Sequence, residues 1–309
     1  MTVLALRIDV DTHDGLRVGV PRMLELLRRV GVRATFFVTF GPDRAGLALT
    51  RAWSPSFLWK MARTRALNTY GWRTVLSGTL LPARRVGESF GSLLRDVTGE
   101  GHELGLHGYD HFGWQRGIRR MRPSEIEAAL RAGVDAFTRT VGRPPAATAA
   151  PGWRTTLEAL AVQERFGFTY ASDTRGQCAF RVRTAGTTYD TLQIPTTMPT
   201  TDEIAGVARR VSTALESVLR SGLNVFTAHA EVDGGPLLGE FERFLCRVQL
   251  RGTEIVRLID AAEMLLSDRD GIPATPVECG RVRGRSGWVL VQRSSMDREF
   301  ASDTCGNAR

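Results

Sequence analysis

The stretch Val3-Leu-Ala-Leu-Arg-Ile-Asp-Val-Asp11 is an apolar run that ends in two carboxylates. Its first six residues have the length and composition of a buried β-strand. Residues two apart on a strand point to the same face, so Asp9 and Asp11 can reach one site. Two adjacent carboxylates repel each other, and a bound cation relieves that repulsion. The motif therefore indicates either a cation site or a solvated turn that caps Asp14-Gly15.

A second motif, His107-Gly-Tyr-Asp-His111, follows the strand-like run Glu103–Leu106. Histidines four residues apart face the same way when they share one helical turn. Two imidazoles and one carboxylate hold a divalent cation and leave positions open for water and substrate, as in catalytic zinc sites. The other carboxylate is then free to act as a base. Together the two motifs predict metal-assisted hydrolysis.

Strand-like apolar runs alternate with amphipathic helical segments through most of the chain. This alternation predicts a parallel α/β fold, either a barrel or a doubly wound sheet. In both architectures the catalytic groups lie at the carboxyl ends of the strands. Asp9, Asp11, His107 and His229 all fall at such ends, which places them at one edge of the predicted sheet.

His229 follows the apolar run Leu223–Ala228 and begins the motif His229-Ala-Glu231. A histidine has an unperturbed pKa near neutrality, which suits a general acid that protonates a departing amine. The alternative is a hydrogen-bonded core histidine. Glu231 either orients His229 or caps the loop that follows.

Two further strand ends carry candidate substrate-binding or supporting residues. Trp153 is positioned to stack on a sugar face, and Arg154 to hold Asp9 charged or to grip a phosphate. Asp173 is a candidate to tune a catalytic histidine, and Arg175 a candidate to bind an anion. The alternative for the charged residues is a surface salt bridge of little energetic value.

The composition, 42% hydrophobic and 24% charged, is ordinary for a globular protein. The net charge is +8, and Lys60 is the only lysine, so arginine carries the positive charge. That bias reflects either genome base composition or recognition of phosphate or anionic lipid. No nucleic-acid-binding signature accompanies it, so we expect no nucleic-acid partner. The amino terminus lacks a signal peptide, no apolar run is long enough to span a membrane, and the cysteines form no paired motif. We therefore expect a cytoplasmic protein.

Residues 44–87 interrupt the strand–helix alternation and contain basic and aromatic residues but no acid. Such a composition is typical of a segment that lies in a membrane interface. The alternative is a helical hairpin packed on the barrel with a solvated basic face. The candidate membrane-interface residues are Trp53, Phe57, Trp59, Lys60, Arg63 and Trp72.

The tail, residues 269–309, has weak periodicity, and we expect a poorly ordered extension in which Val289-Leu-Val forms at most one short edge strand.

The order of these motifs resembles the polysaccharide deacetylase (NodB homology) family of carbohydrate esterases. Within it, the chain most resembles the 4-deoxy-4-formamido-L-arabinose-phosphoundecaprenol deformylases. The motifs that carry this resemblance run from about residue 3 to 265. They include Arg7-Ile-Asp-Val-Asp-Thr12, Tyr70-Gly-Trp72, Glu103-Leu-Gly-Leu-His107, Gly152-Trp-Arg154, Gln193-Ile-Pro195 and His229-Ala-Glu-Val232. The resemblance implies a distorted (β/α)7-type barrel over residues 1–268.

The resemblance also implies the role of each site residue. Asp11, His107 and His111 would bind one divalent metal, with zinc favoured and manganese or cobalt also suited to such ligands. Asp9 would be the general base, and His229 the general acid. The substrate would be the formamido sugar on undecaprenyl phosphate, deformylated at the cytoplasmic face of the inner membrane for lipid A modification and resistance to cationic peptides. Two alternatives stay open, namely an N-deacetylase of polysaccharides or other polyprenyl-linked sugars, and a non-catalytic lipid- or phosphosugar-binding protein.

Overall fold

A computed structural model describes residues 1–44, 83–205 and 208–293 of the chain. Strands and helices alternate along most of it. The strands are β1 (Thr2–Val10), β2 (Thr35–Val38), β3 (Glu103–Leu106), β4 (Ala147–Thr148), β5 (Tyr170–Ala171), β6 (Phe180–Arg183), β7 (Thr188–Gln193), β8 (Gly222–His229), β9 (Glu254–Val256), β10 (Ala274–Thr275), β11 (Val277–Gly280) and β12 (Val289–Gln292). The helices are α1 (Val20–Val30), α2 (Gly91–Gly99), α3 (His111–Gly117), α4 (Pro123–Val141), α5 (Leu157–Gln163), α6 (Thr201–Ile204), α7 (Val211–Ser217), α8 (Leu238–Leu250) and α9 (Leu258–Leu266).

The main sheet has the strand order β10-β6-β7-β5-β4-β3-β2-β1-β8, and β9 pairs with the first half of β1. Neighbouring strands are parallel except for the antiparallel pair β6 and β7. This arrangement confirms the predicted parallel α/β class. Among the described strands, the pairing path ends at β8 and β10 without closing, which is compatible with a distorted barrel.

Strand β1 is buried on both faces, which explains its nearly continuous apolar sequence. Leu4, Leu6 and Ile8 belong to the core cluster that also contains the buried residues of α1 and α8. The alternate residues Arg7 and Asp9 point to the other face of the strand and are also buried. A charged pair therefore occupies positions where the strand would otherwise carry apolar side chains.

The register of the parallel strands brings their carboxyl ends to one edge. Asp9 pairs with His229 across β1 and β8, while Val38 pairs with Leu106 across β2 and β3. His107 therefore leaves β3 at the level where β1 and β8 end. This register assembles the candidate site from residues far apart in sequence.

The prediction of a poorly ordered tail is wrong for residues 269–293. Strand β10 pairs with β6, and β11 and β12 form an antiparallel hairpin. Val289, Leu290 and Val291 are buried, and the first and last of them pack on Trp153. A short apolar run was enough to anchor this polar, arginine-rich segment. Residues 294–309 lie outside the described part.

Most of the 44–87 insertion, including all six membrane-interface candidates, also lies outside the described residues. Its two ends are described, and they lie side by side. The backbone N–H of Asp43 donates to the carbonyl of Arg84 at 2.7 Å. Arg44 pairs with Asp110 at 2.6 Å, and Arg85 donates to the Tyr109 hydroxyl at 2.8 Å. The insertion therefore leaves the fold beside the His107–His111 loop. Within the described ranges, no helix has the length and apolar character needed to cross a bilayer.

A histidine at the opposite edge of the sheet makes the stability of the fold pH-dependent. The Nδ1 of His102 accepts the Ala34 N–H at 3.0 Å, and burial lowers the pKa of His102 to about 4. The unfolded chain binds a proton near pH 6.5 and the folded chain does not, so stability is lost as the pH falls from 6.5 towards 4. We expect this loss to be about 1–3 kcal/mol after allowance for partial solvation.

The variant His102→Gln keeps an acceptor for Ala34 and removes the titration. Urea unfolding at pH 7 and pH 4.5 measures the effect, and the fall in stability between these values should be smaller in the variant. An equal fall in both proteins would contradict the assignment to His102.

Candidate active site

Three potential ligands for a cation converge at the carboxyl edge of the sheet. The Nε2 of His107 lies 3.2 Å from Asp11 Oδ1, and the Nε2 of His111 lies 3.3 Å from Asp11 Oδ2. One ligand atom from each of these residues lies within 4.8 Å of the others. His107 is buried, while Asp11 and His111 are partly exposed, so the cluster is open to solvent on one side.

The tautomer of His107 is set by the neighbouring loop. Its Nδ1 lies 2.9 Å from the carbonyl oxygen of Ala149, which accepts the ring N–H. The unprotonated Nε2 then points towards Asp11 with its lone pair available. A histidine that ligates a metal usually donates its other N–H in this way.

The two histidines do not share a helical turn, contrary to the sequence-based prediction. His107 follows β3, and His111 is the first residue of α3. Gly108 has φ +73°, a left-handed conformation that turns the chain between them. Asp110 accepts the Gly113 N–H at 2.8 Å and so caps α3. A strand–turn–helix junction thus produces the convergence that a single helix was expected to provide.

Arg7 holds Asp9 in its charged form. The guanidinium donates to both carboxylate oxygens, with Nε–Oδ1 and Nη2–Oδ2 distances of 2.7 Å. Its third nitrogen, Nη1, donates to the Ser172 hydroxyl at 3.0 Å. Burial alone would raise the pKa of Asp9, but Arg7, His107 and His229 lower it below its ordinary value. Asp9 is therefore ionised at neutral pH, 3.7 Å from the Nε2 of His107.

The sequence-based prediction gave no role to Arg7 and offered Arg154 as the partner of Asp9, which is wrong. Arg154 instead donates to the carbonyl oxygens of Gln115 and Ser286, both at 3.2 Å. The signal for Arg7 was present in the sequence, because it is the one charge inside an apolar run and lies two residues before Asp9 on the same face of the strand.

His229 lies beside a second acid that sequence reasoning missed. Its Nδ1 is 3.5 Å from the Oδ1 of Asp202, near the start of α6, and its backbone N–H donates to Asp233 at 2.7 Å. Burial alone would lower the pKa of His229, but the carboxylates of Asp202, Asp11 and Asp9 raise it above its ordinary value. The imidazole is thus favoured in its protonated form, as a proton donor requires.

Glu231 caps the loop after β1 and does not contact His229. Its Oε1 accepts the backbone N–H groups of Asp11 and Thr12, at 3.0 Å and 2.7 Å, and the Thr12 hydroxyl at 2.8 Å. Burial, together with the negative charge of Asp11, raises the pKa of Glu231 to about 7. Glu231 therefore fixes the backbone that carries Asp11, a role that differs from both predicted ones.

Trp153 is fully buried, so the prediction that it stacks on a sugar is wrong. Its Nε1 donates to the Thr196 hydroxyl at 3.0 Å, and its ring meets His229 edge-to-face at 6.3 Å. The guanidinium groups of Arg7, Arg175 and Arg285 lie 5.2, 5.0 and 4.3 Å from the ring centroid. Trp153 has φ +55°, a strained conformation for a bulky residue, which indicates that this position is enforced by the site around it.

Asp173 and Arg175 are also buried, each with a specific partner. Asp173 accepts the Ala150 N–H at 2.7 Å and so holds the peptide whose carbonyl receives the His107 N–H. It therefore acts on a histidine through the backbone and not by direct contact. Arg175 donates to Glu203 at 2.7 Å, which leaves it unable to serve as a free anion-binding group as predicted.

The cluster of Asp11, His107 and His111 fits a divalent cation. The Oδ1 of Asp11 is buried without a hydrogen-bond donor among the described residues. Burial alone would raise the pKa of Asp11, but His111 and His107 hold it well below its ordinary value. An ionised carboxylate and two imidazoles, one with a fixed tautomer, are the nitrogen and oxygen donors that zinc and related metals take.

The sequence profile described as Polysaccharide deacetylase matches residues 5–171, which hold the cluster and Asp9. The chain belongs to the polysaccharide deacetylase family. A relative from Shewanella sediminis, named as a 4-deoxy-4-formamido-L-arabinose-phosphoundecaprenol deformylase, is 35% identical over 97% of each chain. A relative from Wigglesworthia glossinidia brevipalpis with the same name is 32% identical over 90% of this chain and 98% of its own.

Solved structures agree on the fold. A Mycobacterium smegmatis protein described as a polysaccharide deacetylase superposes with a TM-score of 0.60 at 17% identity, over 91% of this chain and 94% of that one. An acetyl xylan esterase of Clostridium thermocellum, solved with a cobalt ion, gives 0.51 at 17% identity, over 88% and 93%. The predicted family and fold are confirmed, and the chain is a hydrolase of carbon–nitrogen amide bonds.

Proposed function

We propose that this polysaccharide deacetylase family member removes the formyl group from 4-deoxy-4-formamido-L-arabinose carried on undecaprenyl phosphate. The observation that carries the proposal is the assembly of Asp9, Asp11, His107, His111 and His229 at one edge of the sheet. The name of the relatives that match nearly the full chain supports this substrate. The products would be formate and the free amino sugar lipid, which would serve lipid A modification and resistance to cationic peptides.

In this reaction each side chain has a distinct task. Asp11, His107 and His111 would hold the divalent ion, with zinc favoured. When bound, such an ion supplies Lewis acidity, which acidifies water and polarises an amide carbonyl. The ionised carboxylate of Asp9 would accept the proton of the attacking water. The His229 nitrogen that faces away from Asp202 would give a proton to the sugar nitrogen as the C–N bond breaks.

A product assay tests the proposal. The metal-loaded enzyme is incubated with the formamido sugar on a short-chain prenyl phosphate, and the products are identified by mass spectrometry. Loss of the formyl mass with release of formate is expected. Turnover of the acetamido analogue in preference to the formamido sugar would favour an N-deacetylase, as the family name suggests. Binding without turnover, with any divalent metal, would favour a binding protein.

Removal of the metal should abolish turnover without unfolding the protein. The three ligands lie at strand and helix ends outside the apolar core, so the fold does not depend on the ion. We expect dialysis against a chelator to remove formate release and one equivalent of zinc, manganese or cobalt to restore it, while circular dichroism stays unchanged. Full activity in a sample shown to be free of metal would contradict the role of the cluster.

We also propose that the 44–87 insertion attaches the enzyme to the cytoplasmic face of the inner membrane, where its lipid-linked substrate lies. The ends of the insertion lie beside Tyr109 and Asp110, within the loop that carries the candidate ligands. Replacement of Trp53, Trp59 and Trp72 by serine should reduce sedimentation with anionic vesicles about tenfold or more, because each buried aromatic side chain contributes about 1.5–3 kcal/mol. Replacement of the described tryptophan Trp288 by serine is the control, and equal sedimentation of all the proteins would exclude the attachment.

A further inference from the structure

The segment between β11 and β12, residues 281–288, forms a loop that packs against the active-site edge of the sheet. Gly284 and Gly287 have φ +85° and +88°, which side chains rarely adopt. A Cβ on Gly284 would lie 2.4 Å from the Glu203 carbonyl oxygen, and one on Gly287 would lie 2.3 Å from an Arg154 nitrogen. The 281–288 loop thus packs closely against α6 and against Arg154.

This loop places Arg285 against the Trp153 ring. Its guanidinium lies 4.3 Å from the centre of the Trp153 ring, and that ring in turn contacts His229. Arg285 and Gln115 both lie against Gly152. A Cβ on Gly152 would be 3.4 Å from the Nη2 of Arg285 and would also contact Gln115. The Nε2 of Gln115 is 3.4 Å from the Nε2 of His111. Arg285 therefore lies between Trp153, which contacts the proposed acid His229, and Gln115, which contacts the candidate ligand His111.

The guanidinium of Arg285 is largely buried but has no hydrogen-bond acceptor among the described residues. Its side chain is 18% exposed, and its nearest acid is Glu203, with Nη1 and Oε1 separated by 3.6 Å. That carboxylate already accepts a hydrogen bond from Arg175 at 2.7 Å and one from the Thr200 N–H at 3.1 Å. The ion pair with Glu203 and the Trp153 ring therefore hold the guanidinium in place, while its partly exposed N–H groups stay available to an anion that enters the site.

We infer that Arg285 binds the phosphate that joins the sugar to its lipid carrier, an inference that rests on the proposed function. The planar guanidinium matches phosphate oxygens with two parallel hydrogen bonds. In the proposed substrate, the 1-phosphate lies across one pyranose ring from the 4-formamide. Arg285 lies one aromatic layer from His229, which would protonate the sugar nitrogen. By binding the phosphate, Arg285 would position the sugar so that its formamide lies at the candidate metal centre.

Two substrates distinguish phosphate binding by Arg285 from a general structural role of this residue. The first is 4-formamidoarabinose on neryl phosphate, and the second is the methyl glycoside of the same sugar, which lacks phosphate. Arg285→Gln should raise KM for the first about 10–100-fold, as expected when a charged hydrogen-bonding partner is lost. It should leave kcat/KM for the second within about twofold of the parent value. Arg283→Gln, an exposed arginine of the same loop, is the matched control and should change neither.

Other results would overturn the inference. If Arg285→Gln loses the same activity on both substrates, Arg285 has a structural role. If KM for the phosphate-bearing substrate does not change, Arg285 does not bind the phosphate. If the parent enzyme releases formate from neither substrate, the proposed function fails. Calorimetric titration with neryl phosphate then decides, because tenfold weaker binding by Arg285→Gln than by Arg283→Gln supports the phosphate site and equal binding rejects it. Reduced sedimentation of Arg285→Gln with phosphatidylglycerol vesicles, with KM unchanged, would assign the arginine to the membrane surface and also reject the site.

Discussion

Replacement of Asp9 by asparagine is expected to lower formate release about 10²–10⁴-fold, the usual contribution of a positioned general base. The amide keeps the size of the side chain and one acceptor for Arg7, but it cannot take a proton. Because Asp9 lies next to the Asp11, His107 and His111 cluster and is bound by Arg7, the variant should retain the metal. Single-turnover kinetics together with metal analysis of the same sample measure both effects.

The exposed Asp135 on α4 provides a control, since Asp135→Asn removes the same charge from a solvent-facing position of a helix. Its rate should equal that of the parent enzyme. Asp9→Asn with full activity would remove Asp9 from the reaction. Loss of metal along with activity would instead make Asp9 a ligand, and the assignment of base and ligand between Asp9 and Asp11 would be reversed.

Replacement of Arg7 by methionine is expected to lower the free energy of unfolding by about 3–5 kcal/mol, because it leaves the buried charge of Asp9 without its partner. Arg7 and Asp9 are both almost completely buried, so solvent cannot compensate for the lost pair. The Asp9 carboxyl, whose pKa Arg7 now holds down, should also protonate at a higher pH in this variant. Urea unfolding of the metal-free protein measures the change.

Two further variants isolate the cause. Arg7→Met combined with Asp9→Asn removes both charges and should recover most of the lost stability. Arg28→Met breaks the exposed pair with Glu100, whose atoms are 2.6 Å apart, and should cost at most about 1 kcal/mol. If the double variant were as unstable as Arg7→Met alone, the loss would come from the packing of Arg7 against Phe37 and Trp153 and not from the charge of Asp9.

The sequence predicted the parallel α/β class because most of its apolar strand-like runs are followed by a helical segment. It also predicted which side chains meet, since residues at the carboxyl ends of parallel strands share one edge of the sheet. It misjudged how His107 and His111 converge, because periodicity does not reveal that Gly108 turns the chain left-handed between a strand and a helix.

The partners of the site residues were harder to predict than the residues themselves. Arg7, Asp202 and Arg285 reach the site through contacts that depend on the packing of distant segments. Arg285 in particular belongs to a tail whose polar composition predicted disorder, yet Val289–Gln292 anchors that tail beside Trp153. Trp153 and Arg175 are residue types that often bind ligands, but both are buried here and support other side chains.

The most direct test of the proposed metal centre is anomalous diffraction from crystals of the zinc-loaded protein, collected on both sides of the zinc edge. One peak is expected within bonding distance of an Asp11 oxygen and the Nε2 atoms of His107 and His111, with Asp9 and His229 beside it but not bound to the ion. A zinc ion held elsewhere, or a crystal of fully active protein with no ion at this cluster, would contradict metal-assisted amide hydrolysis at this site.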